Sequence, residues 1–263
     1  MSVVGKVASL WRYPVKSMAG ESVDEVFVGY AGVFGDRLYA FLNQRAPAAF
    51  PYLTGRTRPE MLRYQASFRD SARNVRPPNQ QEAEQRGPGL TPIYPQADEL
   101  VVDVTLPSGE TFAATDPGLI TRLAGKGADA SDLSLIRSDR ALTDCRPLSL
   151  ISHHTIKQIG DEIGTVLDRR RFRANVFAEF DSGKGFGEDV FVGKRLQVGA
   201  RCVIAVLDRD PRCKMISIDP DTAEENKQVF GHVSQAHDGC AGIYGAVLTE
   251  GMVRNGDAIA VLD

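Results

Sequence analysis

The 263 residues contain no Cys-x-x-Cys pair, and the four cysteines, at 145, 202, 213 and 240, are too few and too scattered to frame a disulfide scaffold. Long apolar runs are missing as well. The longest, such as Val203–Leu207, fall far short of the roughly 20 residues that a membrane helix needs. No excess of one charge sign is present: 31 basic residues stand against 34 acidic ones, a net charge of -3, which removes the basis for a general affinity for nucleic acid or anionic lipid. The first residues lack the basic, apolar and small-residue order of a signal peptide, so the expected location is the cytoplasm. Phosphate-loop and dinucleotide fingerprints are also lacking, because Gly183-Lys184-Gly185-Phe186-Gly187 has no helix after it and reads as a turn or surface loop. No repeat of solenoid length occurs.

Period-two alternation dominates what remains. It runs through Val3–Tyr13, Val23–Val28, Leu38–Leu42, Leu100–Thr105, Arg173–Phe177 and Arg201–Leu207, with turn formers between, and predicts a β-rich protein. At the C-terminus Ile243–Leu248 and Ala258–Leu262 read as two closing, paired strands with Asn255–Gly256 at their turn. Helical signals are few. Asp116-Pro117 supplies a cap and a first-turn proline, with Gly125 as the stop. Ser152 is a second cap, before Ile156, Ile159 and Ile163, and Thr222 to about Val233 is a third candidate. From Arg69 to Asp98 the composition shifts to Pro, Gln, Glu, Arg and Gly, as expected of a long loop or disordered insertion (69–98). Its arginines at 69, 73, 76 and 86 suit a solvated face or a docking surface.

Among the cysteines, Cys213 has the most suggestive surroundings. It follows the apolar run Val203–Leu207 in Asp208-Arg209-Asp210-Pro211-Arg212-Cys213-Lys214, so a buried strand would deliver it to a loop at the strand's end. Arg212 and Lys214 favour the thiolate, the form that binds soft metals, whereas the two aspartates oppose it. Read alone, the same residue is equally a small apolar side chain. Cys202 reads as core packing and Cys145 as structural, although Cys145 precedes the Ser152 segment. Cys240 lies in an expected flexible stretch where a redox role stays open. His232, His237 and Cys240 have spacings that could suit zinc, but no fourth ligand is evident and zinc is not expected.

Arg212-Cys213 with Asp219-Pro220-Asp221-Thr222 resembles the MOSC domain, in the branch that includes the mitochondrial amidoxime-reducing component and its bacterial relatives. Tyr13-Pro14-Val15-Lys16-Ser17-Met18-Ala19-Gly20 and Gly35-Asp36-Arg37 resemble the β-barrel domain that precedes MOSC domains there. Further matches are Thr54-Gly55-Arg56, Pro147–Ser152, Phe172-Arg173-Ala174-Asn175 and Gly256-Asp257, in the family's order along nearly the whole chain. The resemblance implies a β-rich α+β fold: an N-terminal β-barrel-like domain over 1–115, then a MOSC β-barrel domain with a few short helices over 116–263. It also implies a molybdenum cofactor, a pterin dithiolene ending in phosphate, with Cys213 as a catalytic thiolate ligand to molybdenum. Lys16, Ser17, Arg37, Ser152, Arg173, Asn175 and Arg212 fall on cofactor-contacting positions, with Arg56 a secondary candidate. Cations and hydrogen-bond donors are the right types for a phosphate and pterin edges. Arg169-Arg170-Arg171 reads as a solvated turn that could also attract an anionic cofactor.

Three features depart from the family pattern: the 69–98 insertion, Met215-Ile216-Ser217-Ile218 in place of a hydroxyl-rich Thr-Thr-Val, and Pro211 where amidoxime-reducing relatives have serine. The implied activity is reduction of N-hydroxylated or related N-oxygenated small molecules. The cysteines include no set for an iron–sulfur cluster, so electrons would come from a separate flavin or iron–sulfur reductase. The alternative is a carrier that holds sulfur as a Cys213 persulfide, independently of pyridoxal phosphate, or delivers the molybdenum cofactor.

Overall fold

The alternating segments form a closed ring in a computed structural model, which describes residues 1–72, 74–86, 100–125 and 129–262. The ring consists of β1 (Ser2–Arg12), β2 (Leu148–Ser152), β3 (Val176–Phe180), β4 (Arg195–Val198), β5 (Cys202–Pro211), β6 (Cys240–Thr249) and β7 (Ala258–Leu262). Its strand order is β3-β2-β6-β5-β4-β7-β1, and β1 returns to β3. Closure satisfies the strand edges that an open sheet would expose. Every pair is antiparallel except β2 with β3, where α3 (His153–Glu162) makes the crossover that a parallel pair requires. Inward-facing Val7, Leu10, Leu150, Val176, Leu196, Ile204 and Ile259 belong to one buried cluster, while Ile151 and Phe177 on the opposite face of β2 and β3 pack in a second one.

Smaller sheets tie the two halves of the chain together. Glu25–Gly29 pairs with Gly251–Arg254, and Tyr39–Asn43 pairs with Leu133–Arg137. With β1 inside the ring, the expected boundary at 115/116 divides the chain but not the sheets. Among the described residues there are four α-helices: α1 (Gln80–Arg86), α2 (Pro117–Ala124), α3 and α4 (Lys227–Ala236). Two begin where the sequence signals place them, since the Asp116 carboxylate accepts from Gly118 N–H and Ser152 Oγ from His154 N–H.

Other expectations need correction. The two C-terminal strands do not pair with each other: β6 lies between β5 and β2, β7 lies between β4 and β1, and Gly251–Arg254 leaves the ring between them. The third helix starts five residues late, because Asn226 rather than Thr222 provides the capping oxygen, to Gln228 N–H. Cys240 begins β6 opposite Pro211 rather than lying in a free loop. The described part of the 69–98 segment is anchored. Fully buried Arg12 pairs with Glu21 at 2.7 Å and donates to Ser71 O at 3.3 Å and to Asn74 O, while Phe27 N–H donates to Val75 O at 2.8 Å. Gln80–Arg86 is helical, and residues 87–99 lie outside the described ones. Arg69 and Arg76 are paired with Asp103 and Glu25, which removes two charges from any docking surface.

Two glycines allow a paired test of packing. A Cβ on Gly5 would stand 2.4 Å from Glu179 O and 2.8 Å from Phe180 Cα, both backbone atoms of β3. Gly5→Ala is predicted to destabilise the protein by about 1–3 kcal/mol, the usual cost of overpacking. Gly231, inside α4, has nothing within 4 Å of its would-be Cβ. Gly231→Ala should therefore stabilise by up to ~1 kcal/mol, and urea unfolding of the two variants checks both signs.

Candidate functional site

Backbone pairing gathers the first group of site residues. Lys16 N–H donates to Tyr39 O at 2.8 Å, Tyr39 N–H to Pro14 O at 3.0 Å and Arg37 N–H to Tyr13 O at 2.8 Å, so Lys16, Ser17 and Arg37 meet just beyond the end of β1. Arg173 and Asn175 lead into β3, and Asn175 is clamped between Trp11 O and Ser149 N–H through its own amide. Arg212 and Cys213 follow β5. These segments line one cavity of about 320 Å³, together with Thr54, Arg56, Asp144, Cys145, Arg146, Ser149, Arg171, Asp210, Met215 and Tyr244.

Seven of the lining side chains are cationic and two are carboxylates. Such an excess inside a part-buried cleft makes a strong local positive potential on a protein whose net charge is -3. Tyr13 lies beneath it, with the Arg37 guanidinium 4.4 Å from the ring centroid and that of Arg173 at 4.3 Å. Burial pushes the Tyr13 hydroxyl up to about 12, against the pull of Arg173 and Arg37. Burial lowers Arg173 to about 10, aided by Arg37, which leaves it charged at neutral pH. Arg37 goes the other way despite its burial, because Asp36 stands 2.5 Å away.

Many of these donors are already occupied. Lys16 Nζ bonds Leu142 O at 2.7 Å and pairs with Asp144, and its pKa is lowered by burial in spite of that partner. Arg212 donates through Nε to Ala241 O at 2.7 Å and through Nη1 to Phe172 O at 2.8 Å, and faces Asp210 at 2.8 Å. Asp210 is buried, which raises its pKa, while Arg212 and a 2.7 Å hydrogen bond from Ser149 Oγ hold it down. Arg173 spends Nη1 on Met18 O at 2.7 Å, but its buried Nη2 has no hydrogen-bond partner, and neither has Arg171 Nε. Buried donors of this kind are rare and call for a ligand or water.

The backbone is strained at the same place. Ser17, Arg37 and Arg173 have φ of 65°, 45° and 52°, in the left-handed region that side chains other than glycine seldom occupy. Such residues persist only where their surroundings hold them, and they concentrate at binding sites.

Of the sequence-derived candidates, Lys16, Ser17, Arg37, Arg56, Arg173, Asn175, Arg212 and Cys213 all line the cavity. Ser152 does not. Its Oγ caps α3 and its N–H donates to the buried Glu188 carboxylate at 3.0 Å, so it acts in the fold instead. Arg171 joins the site from the basic run with only its Nε unpartnered, since Asp219 at 2.6 Å and Ser217 O at 3.0 Å take its other donors, whereas Arg170 is held by Asp168 and Asp221 outside the cavity. Tyr244 is absent from the sequence-derived set, and Ser149 and Asp210, which lie within Pro147–Ser152 and Asp208–Lys214, are not among its candidate cofactor contacts. Only Asp210 carried a signal, a carboxylate at the inward parity of Cys202, Ile204 and Val206. Cys213 is half-buried, Cys145 exposed, and Cys202 buried within the core with its thiol pushed up to about 12.

Residues 4–126 match the MOSC N-terminal beta barrel domain and residues 137–260 the MOSC domain. Among solved structures, the YUAD protein from Bacillus subtilis is similar at 13% identity, with 98% of this chain and 96% of that one covered and a TM-score of 0.49. YiiM from Geobacillus stearothermophilus is similar at 17% identity over 45% of this chain and 55% of that one, with a TM-score of 0.34. No curated protein sequence matches.

The charge ledger makes a direct prediction. Asp144, half exposed, offsets Lys16 and stands 4.0 Å from Arg56. Asp144→Asn should tighten binding of inorganic phosphate about fivefold, the ~1 kcal/mol of a part-exposed ion pair. Titration calorimetry checks it, and Arg173→Gln should weaken the same binding.

Proposed function

The chain belongs to the MOSC domain family, with that family's N-terminal β-barrel domain ahead of the MOSC domain, and on that premise we propose that it is a molybdenum-cofactor oxidoreductase. The observation that carries this reading is a buried, unpartnered Arg173 Nη2 in a seven-cation cavity lined also by the half-buried Cys213 thiol. A pterin phosphate requires cations and free donors, and molybdenum takes a thiolate. The donor set fits both. About 320 Å³ lies at the lower end of small-molecule cavities, which suits a cofactor seated with part of its surface exposed.

Arg173 and Arg171 would hold the anionic end through the donors that remain free, while Lys16 and Arg37 contribute field rather than new hydrogen bonds. Arg212 keeps its strand-end loop fixed through Ala241 O and Phe172 O, which sets the position of the adjoining Cys213. Cys213 would supply the sulfur ligand. When bound, the cofactor supplies two-electron chemistry suited to removing oxygen from N-hydroxylated or related N-oxygenated substrates. Electrons would come from a separate flavin or iron–sulfur protein. Met215 and Ile216 line the cavity where relatives in the amidoxime-reducing branch carry hydroxyls, which gives this chain a less polar wall beside the thiol.

One observation favours a second reading. Cys145 shares the cavity with Cys213, so two accessible thiols face one anion site, as a sulfur carrier would use. Protein made in a host that synthesises the cofactor separates the two. The oxidoreductase reading predicts stoichiometric molybdenum and pterin, and reduction of an N-hydroxylated amidine with an artificial electron donor, both lost in Cys213→Ser. A stable extra sulfur atom on Cys213 by mass spectrometry, with no pterin, would establish the carrier instead.

A further inference from the structure

A second cluster lies outside the cavity, where two helices end together. Glu162 is the last residue of α3, His232 lies in α4, and His237 is the residue that terminates it. Glu162 Oε2 is 2.7 Å from His232 Nε2 and 2.6 Å from His237 Nε2, and all three atoms lie within 4.8 Å of one another. The sequence hinted at two of the three members through the histidines. The fold substitutes Glu162 for Cys240 as their companion.

We propose that Glu162, His232 and His237 form a binding site for a divalent transition-metal ion of the zinc class. Two imidazole nitrogens and one carboxylate oxygen are the ligand types of such ions, whereas calcium and magnesium prefer oxygen alone. An ion at about 2.0–2.1 Å from each ligand keeps the ligand atoms ~3.3 Å apart in tetrahedral geometry, so the carboxylate opens from its present contacts by less than ~1 Å. The supporting contacts suit this. Gln158 Nε2 holds the other Glu162 oxygen at 2.7 Å, and Phe186 stacks on His237 with ring centroids 4.0 Å apart. The α3 and α4 C-termini each contribute partial negative charge at the same point, which favours a cation there. Arg209, the nearby cation, is itself held by Asp189 and Asp238 at 3.0 Å each. The side chains of Glu162, His232 and His237 are 29%, 28% and 14% exposed, which leaves a fourth position open to water.

The position has a structural consequence. His237 leads through Asp238 to Gly239, whose carbonyl accepts the Arg212 N–H at 2.7 Å. An ion would therefore pin the helix pair to the strand end that carries Arg212 and Cys213.

The test is titration of chelator-treated, full-length protein with Co²⁺, followed by its visible spectrum. The expected result is one ion per chain at micromolar affinity or tighter, with ligand-field bands and no thiolate charge-transfer band. Glu162→Gln and His237→Ala should each weaken binding at least tenfold. Zn²⁺ should raise the melting temperature of the wild type by mass action, and that of the variants by less at the same Zn²⁺ concentration. Absence of saturable binding up to about 100 µM, binding in both variants equal to that of the wild type, or a thiolate band placing the ion on cysteine would overturn the site. Should a variant fail to fold, peptide mapping of histidine carbethoxylation on the wild type decides the matter. Co²⁺ must protect His232 and His237, and lack of protection rejects the assignment.

Discussion

Two guanidinium groups, those of Arg37 and Arg173, share one buried tyrosine ring at 4.4 and 4.3 Å, and the structure around the cavity is arranged to make that juxtaposition tolerable. Unscreened, two cations in a part-buried cleft repel strongly. Here the π-face of Tyr13 attracts both, Asp36 neutralises Arg37, and the Arg173 and Met18 carbonyls accept from the two guanidiniums. The arrangement also bridges the chain, because Tyr13 and Arg37 come from its first forty residues and Arg173 from the entry to β3. The cation site is thus complete only where the two halves of the chain are packed together.

The local backbone follows from the same constraint. Ser17, Arg37 and Arg173 accept left-handed conformations because the pairing of Tyr13–Val15 with Arg37–Tyr39, and the ring of strands behind them, fix the chain on both sides. A seven-strand ring is suited to this task. It has no free edge to absorb strain, and it brings the end of β1, the entry to β3 and the exit of β5 to one rim. Cys213 arrives there at the exit of β5, with its loop tied by Arg212 rather than left mobile.

Much of this architecture was visible in local sequence signals. Helices capped by Asp116 and Ser152 begin where a capping oxygen precedes an apolar stripe, and the strands keep their period of two. Cys213 was noticeable as a thiol between cations after a buried strand, and the ordered family motifs brought Lys16, Arg37 and Arg173 into the same set. What escaped notice depends on partners distant in sequence. Ser152 has the right residue type for a pterin contact, yet Glu188, unremarkable in the sequence, occupies its backbone N–H from 36 residues away. Arg12 looks like a surface charge in an alternating strand, but Glu21, Ser71 and Asn74 enclose it and anchor a segment whose composition reads as disordered. The C-terminal strands resemble a hairpin because turn chemistry is local, whereas ring closure, which separates them, is not.

The central claim is that Cys213 completes the coordination of a metal held over this cation cluster. X-ray absorption at the molybdenum edge, on loaded wild type and Cys213→Ser, addresses it most directly. The account predicts three sulfur neighbours in the wild type, two from the pterin dithiolene and one from the protein, and two in the variant. The same sulfur count in both proteins would contradict it.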